Sequence, residues 1–131
     1  MKMRIQGNSL RIRVGRSELA HFLHEGRIDD TVQFTAAPEG RLTYALEVSP
    51  AGITQTQVRY SPPEVVVILT PRQVDQWSQE TEVGVYTKVP IGAEDSLEVI
   101  VEKDFACLDG SDEGNKDTFV NPLDGTNCQV G

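Results

Sequence analysis

Leu10-Arg11-Ile12-Arg13-Val14-Gly15-Arg16-Ser17-Glu18-Leu19 and Val65-Val66-Val67-Ile68-Leu69-Thr70-Pro71-Arg72-Gln73-Val74 lie 55 positions apart, and their apolar positions coincide. Each stretch begins as a strand and ends as the start of a helix. In the first, Leu10, Ile12 and Val14 alternate with Arg11 and Arg13, the period of a strand with one buried face. The second is apolar at every position from Val65 to Leu69, which fits a strand covered on both faces. Thr70-Pro71-Arg72-Gln73 then supplies an N-cap, a proline at the first helical position and an amide placed to close a capping box. Gly15-Arg16-Ser17-Glu18 stands at the same four positions with a weaker cap.

The same shift extends outward from these stretches without a gap. Leu19 falls on Val74, Phe22 on Trp77, Ile28 on Val83, Phe34 on Val89 and Leu46 on Val101, while Arg4/Arg59, Glu25/Glu80, Leu42/Leu97 and Glu47/Glu102 are identities. Self-similarity at a fixed offset marks a duplicated unit. Residues 1–49 and 56–104 therefore read as two copies of a β-β-α-β-β unit, and residues 1–104 as one domain. Met1, Met3 and Ile5 alternate with Lys2 and Arg4 as a first strand, turned at Gly7-Asn8-Ser9. Gly26 is placed to stop the first helix, and 28–35 and 41–48, with 83–89 and 96–103, complete the two units. The expected fold is α+β: an eight-stranded, mainly antiparallel barrel or curled sheet, pseudo-twofold, with two external helices.

The remaining segment, 105–131, reads as an acidic loop-like tail. It holds Asp109, Asp112, Glu113, Asp117 and Asp124 against Lys116, half of the net charge of −8 carried by all 131 residues. An acidic chain repels phosphate backbones, so nucleic acid is not an expected partner. No apolar run reaches the ~18–20 residues of a membrane span, and Met1–Ile5 opens no secretory leader; a cytoplasmic location is expected, with no membrane partner. Cys107 and Cys128 are too few for a disulfide scaffold. His21 and His24 share one helix face turned away from Leu19, Phe22 and Leu23, so with no Cys-x-x-Cys pair a zinc site is poorly supported. The run Asp109–Asp117 places acids at the first, fourth and fifth positions, which departs from the calcium-loop order.

The charges that alternate with core residues are the candidate site. Arg4, Arg11, Arg13 and Arg59 are candidate anion-binding residues, and Glu47, Glu98 and Glu102 candidate metal ligands. If the strands close into a barrel these groups converge on its lumen, where arginines neutralise phosphate and carboxylates hold Mg²⁺ or Mn²⁺. The same alternation also describes the wet face of an open sheet.

In its strand and helix order the duplicated unit resembles the triphosphate tunnel (CYTH-type) phosphatases, and, cut one strand later, a single sliding-clamp domain. The tunnel resemblance implies a wide barrel that binds triphosphate and a divalent metal; where that family has Glu-x-Glu-x-Lys, this chain reads Met1-Lys2-Met3-Arg4-Ile5-Gln6. The opening Met1–Arg13, with Glu102-Lys103-Asp104-Phe105-Ala106-Cys107-Leu108 and Asp117-Thr118-Phe119-Val120-Asn121-Pro122, is similar to a family of short uncharacterised bacterial proteins, which implies a bacterial source. The leading expectation is a small ligand-binding or interaction domain without catalysis or cofactor, its ligand a small anion or its partner another chain. The rival is a metal-dependent phosphohydrolase or phosphate-ligand binder.

Overall fold

The computed structural model describes residues 1–105 and 118–119. The elements run β1 (Lys2–Ile5), β2 (Ser9–Val14), α1 (Arg16–Glu25), β3 (Arg27–Gln33), β4 (Arg41–Val48), β5 (Gln57–Ser61), β6 (Glu64–Leu69), α2 (Pro71–Trp77), β7 (Gly84–Ile91) and β8 (Asp95–Lys103). They form two four-stranded sheets, with strand orders β1-β2-β8-β7 in the first and β3-β4-β6-β5 in the second.

The expected barrel is not formed. Each hairpin is antiparallel, but the sheets are joined at their centres by the parallel pairs β2–β8 and β4–β6. The helix following β2 carries the chain from the first sheet to the second, and the helix following β6 carries it back. Strands on either side of a helix therefore enter different sheets, and each sheet keeps two open edges among the described residues. Alternation fixes which face of a strand is buried and says nothing of which strand lies beside it.

The registers of the two sheets correspond closely. Ser9 lies opposite Glu98 in β2–β8, and Glu64 lies opposite Thr43 in β4–β6, each residue 55 positions from its counterpart. Arg4 pairs with Arg11 as Arg59 pairs with Val66. The third pairing differs: Glu102 meets Gly84 in β7, whereas Glu47 meets Arg27 in β3, two residues off the counterpart of Gly84. A slip of two keeps every side chain on its face.

Both sheets and both helices contribute to one core, with Ile12 and Val14 of β2, Leu46 of β4, Val67 and Leu69 of β6 and Val99 and Val101 of β8 all at most 1% exposed. Phe22 of α1 and Trp77 of α2 plug it, ring centroids 6.4 Å apart and tilted by 57°. Each such side chain contributes ~1.5–3 kcal/mol by leaving water, so the helices are held by packing rather than by their short length.

Local chemistry sets where the helices begin and end. Thr70 Oγ1 accepts from the Gln73 amide at 3.0 Å, and Gln73 Oε1 accepts from the Thr70 amide at 2.9 Å, the reciprocal box read from the sequence. At α1, Glu18 Oε1 accepts from the Gly15 N–H at 2.9 Å, while its other oxygen contacts the Met1 amino group. Gly26 stops α1 in the left-handed region at φ 80°, its N–H donating to the Phe22 carbonyl at 2.8 Å.

Candidate functional site

Because one face of each sheet is spent on the shared core, the alternate residues form two outer faces. On the first sheet these are Lys2 and Arg4 of β1, Arg11 and Arg13 of β2, Glu98, Ile100 and Glu102 of β8, and Tyr86 and Lys88 of β7. Glu102 is the hub. Its Oε1 takes Arg13 Nε at 3.2 Å and lies 3.4 Å from Arg11 Nε, and its Oε2 accepts from the Tyr86 hydroxyl at 3.2 Å. Gly84, directly opposite, leaves the room this needs: a Cβ there would stand 2.6 Å from the Val101 carbonyl oxygen and 2.9 Å from Glu102 Cβ. Partial burial, and then the Glu102 charge and hydrogen bond, push the Tyr86 phenol above its ordinary value; Arg11 and Arg13 act against this.

On the second sheet Glu47 stands at the corresponding place, and a different arginine closes on it. Arg27 donates to Asp29 at 3.1 Å, to Glu64 at 3.0 Å and to Glu47, while Arg59 donates to Glu47 at 3.2 Å. Burial disfavours the Arg27 charge, but its three carboxylate partners outweigh this and raise its pKa. Beneath these side chains Ala45, Val66 and Ile68 form a small buried cluster. The aliphatic stems of arginine and glutamate are suited to cover such a patch while their heads stay wet.

The residues singled out in the sequence therefore divide between two faces. Arg4, Arg11, Arg13, Glu98 and Glu102 share the first sheet, and Arg59 and Glu47 the second; they do not converge on a lumen. Arg4 is exposed and makes no ion pair among the described residues, and Lys2 reaches Asp104 at 2.9 Å. No group of three histidine, cysteine or acidic side chains within reach of a common metal occurs among the described residues. His21 and His24 are exposed, His24 Nδ1 lying 3.2 Å from Glu25. The cysteines and the Asp109–Asp117 run lie outside the described residues.

Arg27, Glu64 and Tyr86 went unread in the sequence. A shift of 55 sets Arg27 on Glu82, so a comparison at that offset passes over it. Only the two-residue slip of β3 brings its guanidinium opposite Glu47.

Lys103, 4% exposed, donates to the Gln79 carbonyl at 2.7 Å, and its ammonium stands 5.4 Å from the Phe119 ring centroid. Burial pulls its pKa down, against the raising influence of Glu82 and Glu80. Phe119 in turn bridges to Phe105, the rings edge-on at 6.1 Å. A cleft of about 700 Å³ between α1 and β3 is lined by Glu18, His21, Glu25 and Asp29 among others. No helix is long and apolar enough to cross a membrane among the described residues.

Comparison with curated proteins and with solved structures finds no match. A family model matches residues 1–123, nearly the whole chain, and the protein belongs to that family, a family of unknown function (DUF7009).

Proposed function

We propose that the chain is a small bacterial ligand-binding or interaction domain without catalytic activity, acting in the cytoplasm, and built over residues 1–104 as a duplicated β-β-α-β-β unit. The supporting observation is the state of Glu47 and Glu102. Each carboxylate is held by arginines on its own sheet, Arg27 and Arg59 in one case and Arg11 and Arg13 in the other. At these partly exposed positions each ion pair contributes ~0.2–1 kcal/mol. A divalent metal would have to displace guanidinium groups from both carboxylates, and a phosphate would have to draw the same arginines away from them. The close match of register at 55 residues' separation supports the duplication. The metal-dependent phosphohydrolase reading needs Arg4, Arg11, Arg13, Arg59, Glu47, Glu98 and Glu102 around one substrate, and they lie on two faces.

The test is a thermal melt of the full chain with tripolyphosphate and Mg²⁺ or Mn²⁺. A ligand at ~100 times its dissociation constant stabilises by ~2.7 kcal/mol. The expected result is an unmoved melting curve; a rise of several degrees with triphosphate and metal together would overturn the proposal in favour of the phosphohydrolase.

A further inference from the structure

The two sheets differ in how their outer charges are used. On the second, Arg27, Arg41 and Arg59 are balanced by Asp29, Glu47 and Glu64. On the first, Lys2, Arg4, Arg11, Arg13 and Lys88 stand against Glu98 and Glu102, with Asp104 reached by Lys2. Among the described residues, a chain of net charge −8 thus keeps an excess of positive charge on one sheet face. This excess gathers toward β1, an open edge of the sheet among the described residues.

The backbone of β1 is presented for pairing. The Gln6 N–H donates to the Ser9 carbonyl at 3.1 Å, so residues 6 and 9 are a hydrogen-bonded pair of the hairpin. Hydrogen-bonded and non-hydrogen-bonded pairs alternate along an antiparallel ladder. Arg4 and Lys2 therefore bond inward to β2, and the N–H and C=O groups of Met3 and Ile5 point out to the open edge. Ile5 is 62% exposed on the opposite face from Arg4. A strand added here would meet an alternation of base and apolar side chain, with its own side chains nearest to Lys2 and Arg4 in non-hydrogen-bonded pairs. Basic residues on an edge repel a second copy of the same edge, but they attract a strand of opposite charge.

We propose that β1 is a docking edge for an extended acidic polypeptide segment whose acidic and apolar residues alternate. Its carboxylates lie beside Lys2 and Arg4 and its apolar side chains beside Met3 and Ile5, while its backbone pairs with Met3 and Ile5. The counterpart edge β5 does not offer this: Arg59 is spent on Glu47 and Gln57 stands in the position of Lys2, whereas on β1 Arg4 makes no ion pair among the described residues, although Lys2 reaches Asp104. This assignment rests on the reading of the chain as an interaction domain and names the partner's chemistry.

The test is fluorescence anisotropy of the full chain with a labelled decapeptide of alternating glutamate and valine. A peptide of five glutamates followed by five valines, and a thymidine oligonucleotide, are the controls. Binding of the alternating peptide alone is expected, weakened by salt. Arg4→Glu should weaken it about tenfold, the effect of ~1.4 kcal/mol, with Arg4→Gln intermediate. Ile5→Pro, which removes an outward N–H, should abolish it, and Gln57→Glu on β5 should leave it unchanged. Far-UV circular dichroism verifies that each variant folds. No binding of the alternating peptide, or equal binding of all three probes, overturns the proposal, the latter marking a general anion face. A triphosphate-dependent melting shift would instead sink the interaction-domain reading itself, so the two failures are distinct.

Discussion

Glu47 and Glu102 occupy corresponding places in the two sheets: Glu102 lies opposite Arg13 of β2, and Glu47 opposite Ile68 of β6, 55 residues further along. The carboxylate is the same and its neighbours are not. Glu102 is flanked by arginine on β2 and by glycine on β7, so its partners come from one side with Tyr86. Glu47 is flanked by isoleucine on β6 and draws Arg27 and Arg59 from the two edge strands. The two places thus serve different charge arrangements, one balanced and one with an excess of positive charge among the described residues.

Removing the Glu47 charge should therefore be felt through Arg27 and Arg59 together. Glu47→Gln is expected to destabilise by about 1 kcal/mol, the upper range for partly exposed pairs. In 1 M salt the difference from wild type should shrink, since the Debye length falls to ~3 Å. Urea denaturation at low and high salt measures both. A loss unchanged by salt would mean that Glu47 acts by packing over Ala45, Val66 and Ile68.

The shared core predicts that one deletion destabilises both sheets. Phe22→Ala should cost ~3–5 kcal/mol, the usual range for a buried aromatic, and should shift the fluorescence of Trp77, whose ring faces it. Urea unfolding followed by circular dichroism and by fluorescence should give one coincident transition. Two separate transitions would contradict a single core.

Much of this was legible in the residues. Alternation placed Leu10, Ile12 and Val14 inward and Arg11 and Arg13 outward. The run Val65–Leu69 foretold a strand buried on both faces, and Thr70, Gln73 and Gly26 marked helix ends. Closure into a barrel was misread because pairing partners are set by contacts between distant segments, and alternation is the same for an open and a closed sheet. The lumen failed with the barrel. Arg27 escaped notice because its role depends on a two-residue slip of β3 against β4, which no comparison at a fixed offset reveals.

Gly84 should resist substitution although it lies in a strand of favourable β-propensity. Its missing Cβ is replaced by the Val101 carbonyl and the Glu102 side chain, so Gly84→Ala must displace backbone. A cost of ~1–3 kcal/mol is expected, read as a lowered urea midpoint. The same substitution should weaken the Tyr86–Glu102 hydrogen bond. An alanine variant as stable as wild type would show that β7 can move away from β8 at this point.

Tyr86 offers a direct reading of the first sheet's charges. Its phenol is raised above the ordinary value of 10 by burial, then by Glu102, with Arg11 and Arg13 opposing. In Glu102→Gln the burial remains, the carboxylate is gone and Arg11 and Arg13 still favour the phenolate. The titration of Tyr86 should then move down, to a lower pH than in wild type. Absorbance of tyrosinate near 295 nm measures this in a background of Tyr44→Phe and Tyr60→Phe. The linked effect on stability has a definite sign. A phenol whose pKa is higher folded than unfolded contributes stability that is intact below pH 10 and is lost as pH rises through the folded value. Lys103, pulled down from 10.5, has the opposite slope between its folded value and 10.5, so absorbance separates the two where a melting curve would not. An unchanged Tyr86 titration in Glu102→Gln would show that burial alone sets its pKa and that the 3.2 Å hydrogen bond is not maintained in solution.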